Sequence, residues 1–275
     1  MRLEGRTAIV TGSTKGVGEG IARRFAAEGA NVVVCGRDRD AGEAIAAELG
    51  GKSTYLPLDL ISEESVKALV EATVERFGAI DILVNNAAAT DRIAQADKAA
   101  GEIRSEDFDY IVKIGLYGPF WMIKHSLAAM KDRPGGASII NISSGASIGG
   151  VGNLAAYTCA KGGLNSLTKQ VAVDYGPHGV RCNTLVLGLV VTDMVKPLIS
   201  HPKGAEAFKA TSLHGRMGSA ADIGAFCAFL ASDEGAFING TLIPTDGGLT
   251  AKISMPDVGG IFAEIVAESQ AGGVQ

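Results

Sequence analysis

The sequence predicts an α/β fold: a doubly wound, parallel sheet of about seven strands with helices on both faces. Three observations carry this. Short runs rich in Val, Ile and Leu recur along the chain, a longer amphipathic stretch separates most neighbouring runs, and the runs are continuously apolar, as strands covered on both faces must be. No Pro/Gly/Ser-rich linker or internal repeat breaks the alternation, so residues 1–275 read as one domain.

The elements follow in order. Strands are expected at Thr7 to Val10, Asn31 to Cys35, Ser53 to Leu58, Ile80 to Val84, Ala137 to Ile142, Val180 to Leu185 and Gly240 to Pro244. Helices are expected at Gly18 to Glu28, Arg39 to Leu49, Glu63 to Phe77, Ser105 to Lys131, Ala155 to Tyr175 and Ala220 to Leu230. Residues 193–215 fall outside the pattern and read as a substrate lid; residues 250–275 read as a C-terminal extension. In that extension Ile261, Phe262, Ile265 and Val266 recur at helical spacing between Gly259-Gly260 and Gly272-Gly273. The apolar stripe is expected to pack near the lid of its own or a neighbouring subunit, with a frayed terminus as the alternative.

Composition narrows the function classes. With 47% hydrophobic and 20% charged residues the chain is globular, neither disordered nor fibrous. A net charge of -5 argues against nucleic acid or an anionic membrane as partner. The amino terminus lacks a signal-peptide stretch and no run is long enough to span a bilayer, so a cytoplasmic location is expected. Cys35, Cys159, Cys182 and Cys227 sit singly in apolar segments and are expected to be buried free thiols. His125, His178, His201 and His214 have no metal-ligand spacing; His201 and His214 fall in the lid, and none is assigned a catalytic role. Trp121 and Met122 read as packing residues.

The first strand runs into Thr11-Gly12-Ser13-Thr14-Lys15-Gly16-Val17-Gly18. Three glycines allow a tight turn and close approach of a ligand, and the next helix points its amino terminus there, which suits the pyrophosphate of a dinucleotide. Where NAD-binding folds usually carry an acidic residue after strand two, this chain has Cys35-Gly36-Arg37. Lys15 and Arg37 would both face a ribose 2′-phosphate, so NADP(H) is the expected cofactor. Asp38 keeps NAD(H) open.

Tyr157 and Lys161 lie four residues apart, on one face of a helix, and Ser144 lies thirteen residues upstream of the tyrosine. An ammonium beside a phenol favours the phenolate, which is expected to bring Tyr157 down from about 10 towards working pH as a general acid/base.

Together these pieces resemble the short-chain dehydrogenase/reductase family over nearly the whole chain up to Leu249. The resemblance rests on Thr11-Gly12-x-x-x-Gly16-x-Gly18, Asp59-Leu60, Asp81 to Ala88, Ser144, Tyr157-x-x-x-Lys161, Arg181-x-Asn183, Gly188-x-Val190-x-Thr192 and Asp246-Gly247-Gly248. It implies that Asp59 and Leu60 flank the adenine, that Asn86, Ala87 and Ala88 lie along the adenosine ribose, and that Val190 and Thr192 meet the nicotinamide amide and the phosphates. It implies too that Lys161 holds the nicotinamide ribose, that Ser144 bonds the substrate carbonyl, and that the long helices pack across a two-fold axis in a homotetramer or homodimer. Three positions depart from the pattern: Gly115 stands where the family usually has a relay asparagine, Ala88 where it has glycine, and Leu187 where it has proline. A local kink is expected at Gly115.

The expected function is NADP(H)-dependent interconversion of a small, largely apolar secondary alcohol and its ketone. The alternatives are a 3-oxoacyl carrier-protein reductase, disfavoured by the residues after Leu249, and a cofactor-binding regulatory protein that has lost turnover, suggested by Gly115.

Overall fold

The seven apolar runs form one parallel sheet in a computed structural model that describes residues 1–193, 195–252 and 260–264. The strands are β1 (Thr7–Thr11), β2 (Asn31–Gly36), β3 (Thr54–Pro57), β4 (Ile82–Asn85), β5 (Ala137–Ser144), β6 (Val180–Leu187) and β7 (Leu242–Thr245), in the spatial order β3-β2-β1-β4-β5-β6-β7. The order reverses between β1 and β4, and the crevice beyond their carboxyl ends is where open sheets of this type bind ligands.

Alternate residues of each strand feed two cores, because side chains reverse face at every residue. Ile9, Val33, Leu83, Ile139 and Cys182 meet α3 (Glu63–Phe77), α5 (Ser105–Val112), α6 (Gly118–Met130) and α7 (Ala155–Tyr175). Val10, Val34, Val84, Ile140 and Leu185 meet α1 (Gly16–Ala27), α2 (Arg39–Leu49) and α10 (Ala220–Ala231). β5 and β6 pair over eight positions, from Ala137 opposite Val180 to Ser144 opposite Leu187, so the end of β5 is held to its last residue. Among the described residues no helix is long and apolar enough to cross a membrane.

The helix expected over Ser105 to Lys131 is divided. Between α5 and α6 lies one π-helical turn, Lys113–Tyr117, with Gly115 buried at its centre. A Cβ at Gly115 would lie 2.9 Å from the Cβ of Ala160 on α7, so glycine permits the close approach here, and the expected irregularity takes the form of an inserted residue. A further helix, α4 (Thr90–Ala96), was not expected; it buries no residue and therefore carries no apolar rhythm. The segment after β6, outside the strand–helix alternation, contains α8 (Lys196–Ile199) and α9 (Pro202–Ala210). In the C-terminal extension residues 260–264 are helical with Ile261 and Phe262 exposed, while Ile265, Val266, Gly259, Gly272 and Gly273 lie outside the described residues.

Cys35, Cys182 and Cys227 are buried, and burial pushes the Cys182 thiol up to about 12. Cys159 is exposed, against expectation, because it falls on the outer face of α7 between inward-facing Ala156 and Ala160. His125 bonds Glu63, and His178 bonds Asp132.

Candidate active site

The glycine loop is shaped by its backbone. Gly12 and Gly16 have φ of +65° and +60°, in the left-handed region that side chains rarely occupy, and a Cβ on Gly18 would strike the Gly12 carbonyl. No side chain caps the amino terminus of α1, so its leading amides face the loop with the positive end of the helix dipole behind them. These features fit a pyrophosphate.

The loop is also sewn to β4. Asn86 donates through Nδ2 to the Thr11 carbonyl at 2.9 Å, and the amides of Asn86 and Ala87 donate to the Thr11 hydroxyl at 3.0 and 3.1 Å. The Asn86 side chain thus shapes the loop, and Ala87 comes within 3.0 Å of the position a Gly12 Cβ would take. Ser13 is likewise turned inward: its hydroxyl donates to the Val10 carbonyl at 2.6 Å and accepts from the Cys35 amide at 3.0 Å. Thr14, Val17 and Ala88 are half-buried along the crevice and Lys15 is exposed at its mouth.

Arg37, at the end of β2, is exposed; its guanidinium donates to the Tyr110 hydroxyl at 3.4 Å and stands 3.7 Å from the Asp91 carboxylate. Asp59 follows β3 and accepts the Ile61 amide, while Leu60 is buried against Gly118. Across the crevice Val190 forms a bridge with Gly218, and the methyl of Thr192 lies 3.7 Å from where a Gly16 Cβ would be. The loop after β6 therefore reaches over the glycine loop.

The three residues expected to do the chemistry come together beyond β5. Ser144 ends that strand, and the following 3-10 turn, Gly145–Ser147, is fixed by the Ser147 hydroxyl, which donates to the Ser144 carbonyl at 2.5 Å and accepts from Asn165 at 2.8 Å. Lys161 is buried, its Nζ donating to the Ile142 carbonyl at 2.7 Å and lying 5.8 Å from the centre of the Tyr157 ring. Burial brings the Lys161 ammonium down to about 8. Burial likewise raises the half-buried Tyr157 phenol above its ordinary 10, with the neighbouring Ser144 hydroxyl acting against the rise. This corrects the expected direction: burial dominates at both positions, and both groups are pushed towards their neutral forms.

Around this centre lie Ile148 and Val151 on the loop after β5, and Leu249 and Thr250, which approach within 3.5 and 3.8 Å of a Cβ placed on Gly145. A separate cavity of about 360 Å³ lies between Phe208, Ser212 and His214 of the segment after β6, Asp222 of α10 and the turn Asp246-Gly247-Gly248. It does not include Ser144, Tyr157 or Lys161. Ser147, Asn165 and Leu249 were not singled out from the sequence, since ordinary polar and apolar residues at such spacing carry no local signal.

Residues 12–250 match a family model described as enoyl-(acyl carrier protein) reductase. The chain is 38% identical over 251 residues to 2,5-dichloro-2,5-cyclohexadiene-1,4-diol dehydrogenase of Sphingobium indicum, covering 90% of this chain and 98% of that one. It is 35% identical to D-threitol dehydrogenase of Mycolicibacterium smegmatis over 91% of this chain and 95% of the relative. Identity to the 3-oxoacyl-[acyl-carrier-protein] reductase of Haemophilus influenzae is 34%, over 90% and 99%. A glycine-loop crevice at the switch point of a parallel sheet, in a chain with such relatives along most of its length, establishes that this protein belongs to the short-chain dehydrogenase/reductase family of nicotinamide-dependent oxidoreductases.

Proposed function

We propose that the protein interconverts a small, largely apolar secondary alcohol and its ketone, using NADP(H), with Tyr157 as the acid/base. The observation that carries this reading is the convergence of Ser144, at the end of β5, with Tyr157 and the buried Lys161 of α7, whose Nζ stands 5.8 Å from the centre of the Tyr157 ring. Bound nicotinamide would supply or accept the hydride. For ketone reduction, the Ser144 hydroxyl donates to the carbonyl oxygen and Tyr157 delivers a proton to it as charge builds there. A phenol held above 10 keeps that proton at neutral pH. Lys161, anchored on the Ile142 carbonyl, stabilises the tyrosinate left behind.

The exposed Ile148 and Val151 and the nearby Leu249 favour an apolar substrate. Lys15 and Arg37 favour a cofactor with a 2′-phosphate. Exposed Tyr117 and Phe120 near the start of α6 and Val173 on α7 support a homotetramer or homodimer built on these helices. A second reading, reduction of a 3-oxoacyl group on a carrier protein, is favoured by the Haemophilus relative. The test is a screen of alcohols, ketones and 3-oxoacyl thioesters with NADP⁺ or NADPH, followed through the absorbance of the reduced nicotinamide. On whichever substrate is turned over, Tyr157→Phe should lower kcat by at least about a hundredfold while cofactor binding stays nearly intact. A variant keeping most of the wild-type rate would remove Tyr157 from the mechanism.

A further inference from the structure

Tyr157 sits in the first turn of α7, where a helix leaves its leading amides without partners of its own. The local sequence does nothing to satisfy them. The residue before the helix is Leu154, with no side-chain oxygen to offer, and the loop leading to it contains Gly149, Gly150 and Gly152, each with no atom near its Cα that a side chain would meet. A slack, glycine-rich approach to an uncapped helix would leave the height and rotation of Tyr157 poorly fixed.

The missing partners come from a distant segment. The Asp97 carboxylate accepts the Ala156 amide through Oδ1 at 3.1 Å and the Tyr157 amide through Oδ2 at 3.0 Å. The next residue completes the set, since the Lys98 carbonyl accepts the Ala155 amide at 3.3 Å. Thus the first three amides of α7 are taken by residues 97 and 98, and the next, Thr158, opens the internal ladder by bonding the Leu154 carbonyl. Asp97 is only 5% exposed, and among the described residues no cation pairs with it. A buried carboxylate costs far more than the serine or asparagine that would make an ordinary cap; here it is offset by amides alone, including that of Lys98, and by the positive helix end.

The position of Asp97 in the chain gives the contact a second meaning. It ends the short helix α4, which follows directly on Asn86, Ala87 and Ala88 of the crevice. One side chain therefore ties the segment leading out of the cofactor loop to the backbone nitrogen of the acid/base residue. We propose that Asp97 is a positioning residue, which fixes Tyr157 against Ser144 by capping α7 from outside. The proposal rests on Tyr157 being the acid/base, and the experiment separates the two.

Asp97→Asn keeps the shape and one acceptor; Asp97→Ala removes both acceptors. Amide hydrogen exchange of the whole protein should show residues 155–157 exchanging at least about tenfold faster in Asp97→Ala, with Asp97→Asn between it and wild type and α10 unchanged. On the substrate found in the screen above, kcat should fall about tenfold or more in Asp97→Ala and less in Asp97→Asn, because a small displacement of a reacting group is costly. The affinity for NADP⁺, titrated through Trp121 fluorescence, should stay within about twofold. Unchanged exchange at 155–157, or wild-type kcat in the folded variants, overturns the proposal. So does a loss of kcat that only tracks a loss of folded, NADP⁺-binding protein; if Asp97→Ala does not fold, Asp97→Asn decides on the same readouts. Substantial activity in Tyr157→Phe would instead strike the acid/base reading itself.

Discussion

Replacing Lys161 with methionine should strip the site of its activity and, below pH 8, relieve the fold of an electrostatic burden. The ammonium is 2% exposed and burial lowers it from 10.5 to about 8. That shift corresponds to roughly 3 kcal/mol against the charged form, to order of magnitude. Methionine keeps the apolar stem, while the lost hydrogen bond to the Ile142 carbonyl gives back about 1.5–3 kcal/mol. Near pH 7 the variant should thus be about as stable as wild type or up to ~2 kcal/mol more so, unlike most changes at buried positions.

The sign with pH is the sharper test. Between about 8 and 10.5 the unfolded chain holds a proton at Lys161 that the folded protein has released, so wild-type stability gains from rising pH in that window. The variant has no such group. The stability of Lys161→Met minus that of wild type should therefore be greatest below pH 8 and decline by roughly 2–3 kcal/mol by pH 10.5. Urea unfolding of both cofactor-free proteins at pH 7 and pH 10 measures it, because other titrating groups cancel in the difference. A difference independent of pH, or a variant destabilised by several kcal/mol at pH 7, would refute the argument that Lys161 is held at an electrostatic cost.

Two further outcomes follow from the crevice. Arg37→Asp should move preference from NADP(H) towards NAD(H), by removing a cation and adding an anion where a 2′-phosphate would lie; comparing kcat/KM for the two cofactors checks it, and a wild-type enzyme at least as efficient with NADH would sink the assignment. Gly18→Ala should weaken cofactor binding by tenfold or more and cost about 1–3 kcal/mol of stability, since its methyl would meet the Gly12 carbonyl and lie 2.5 Å from Asn86 Nδ2. Isothermal titration and urea unfolding give the two numbers, and wild-type values for both would contradict the packing.

The inner strands were legible because they are buried on both sides and so read as unbroken apolar runs; β1 and β2 illustrate it, with Ala8 to Val10 and Val32 to Cys35 all at 0% exposure, whereas the edge strands β3 and β7 are only half-buried. Helix α4 was not, since a segment that buries nothing leaves no periodic trace. The π-helical turn at Lys113–Tyr117 escaped for another reason: one inserted residue shifts the apolar rhythm too little to separate from helix irregularity, although Gly115 marked the place. Spacing alone brought Tyr157 and Lys161 to one helix face. It could not give the direction of their titration, which depends on burial, nor the contact of Asp97 with an amide sixty residues away.

The bonds between Thr11 and Asn86 bear on how the protein comes into being. They join residues 75 apart in sequence, across the point where β1 meets a strand that emerges only after β2 and β3 have been made. A chain that has finished β1 and α1 but not yet paired β4 has the glycines in place and lacks the groups that hold them in shape. Such long-range pairings form slowly. The nucleotide would then find its seat only on chains that have completed this closure, and by mass action it would draw slow or hesitant folders towards the native state rather than assist the early steps.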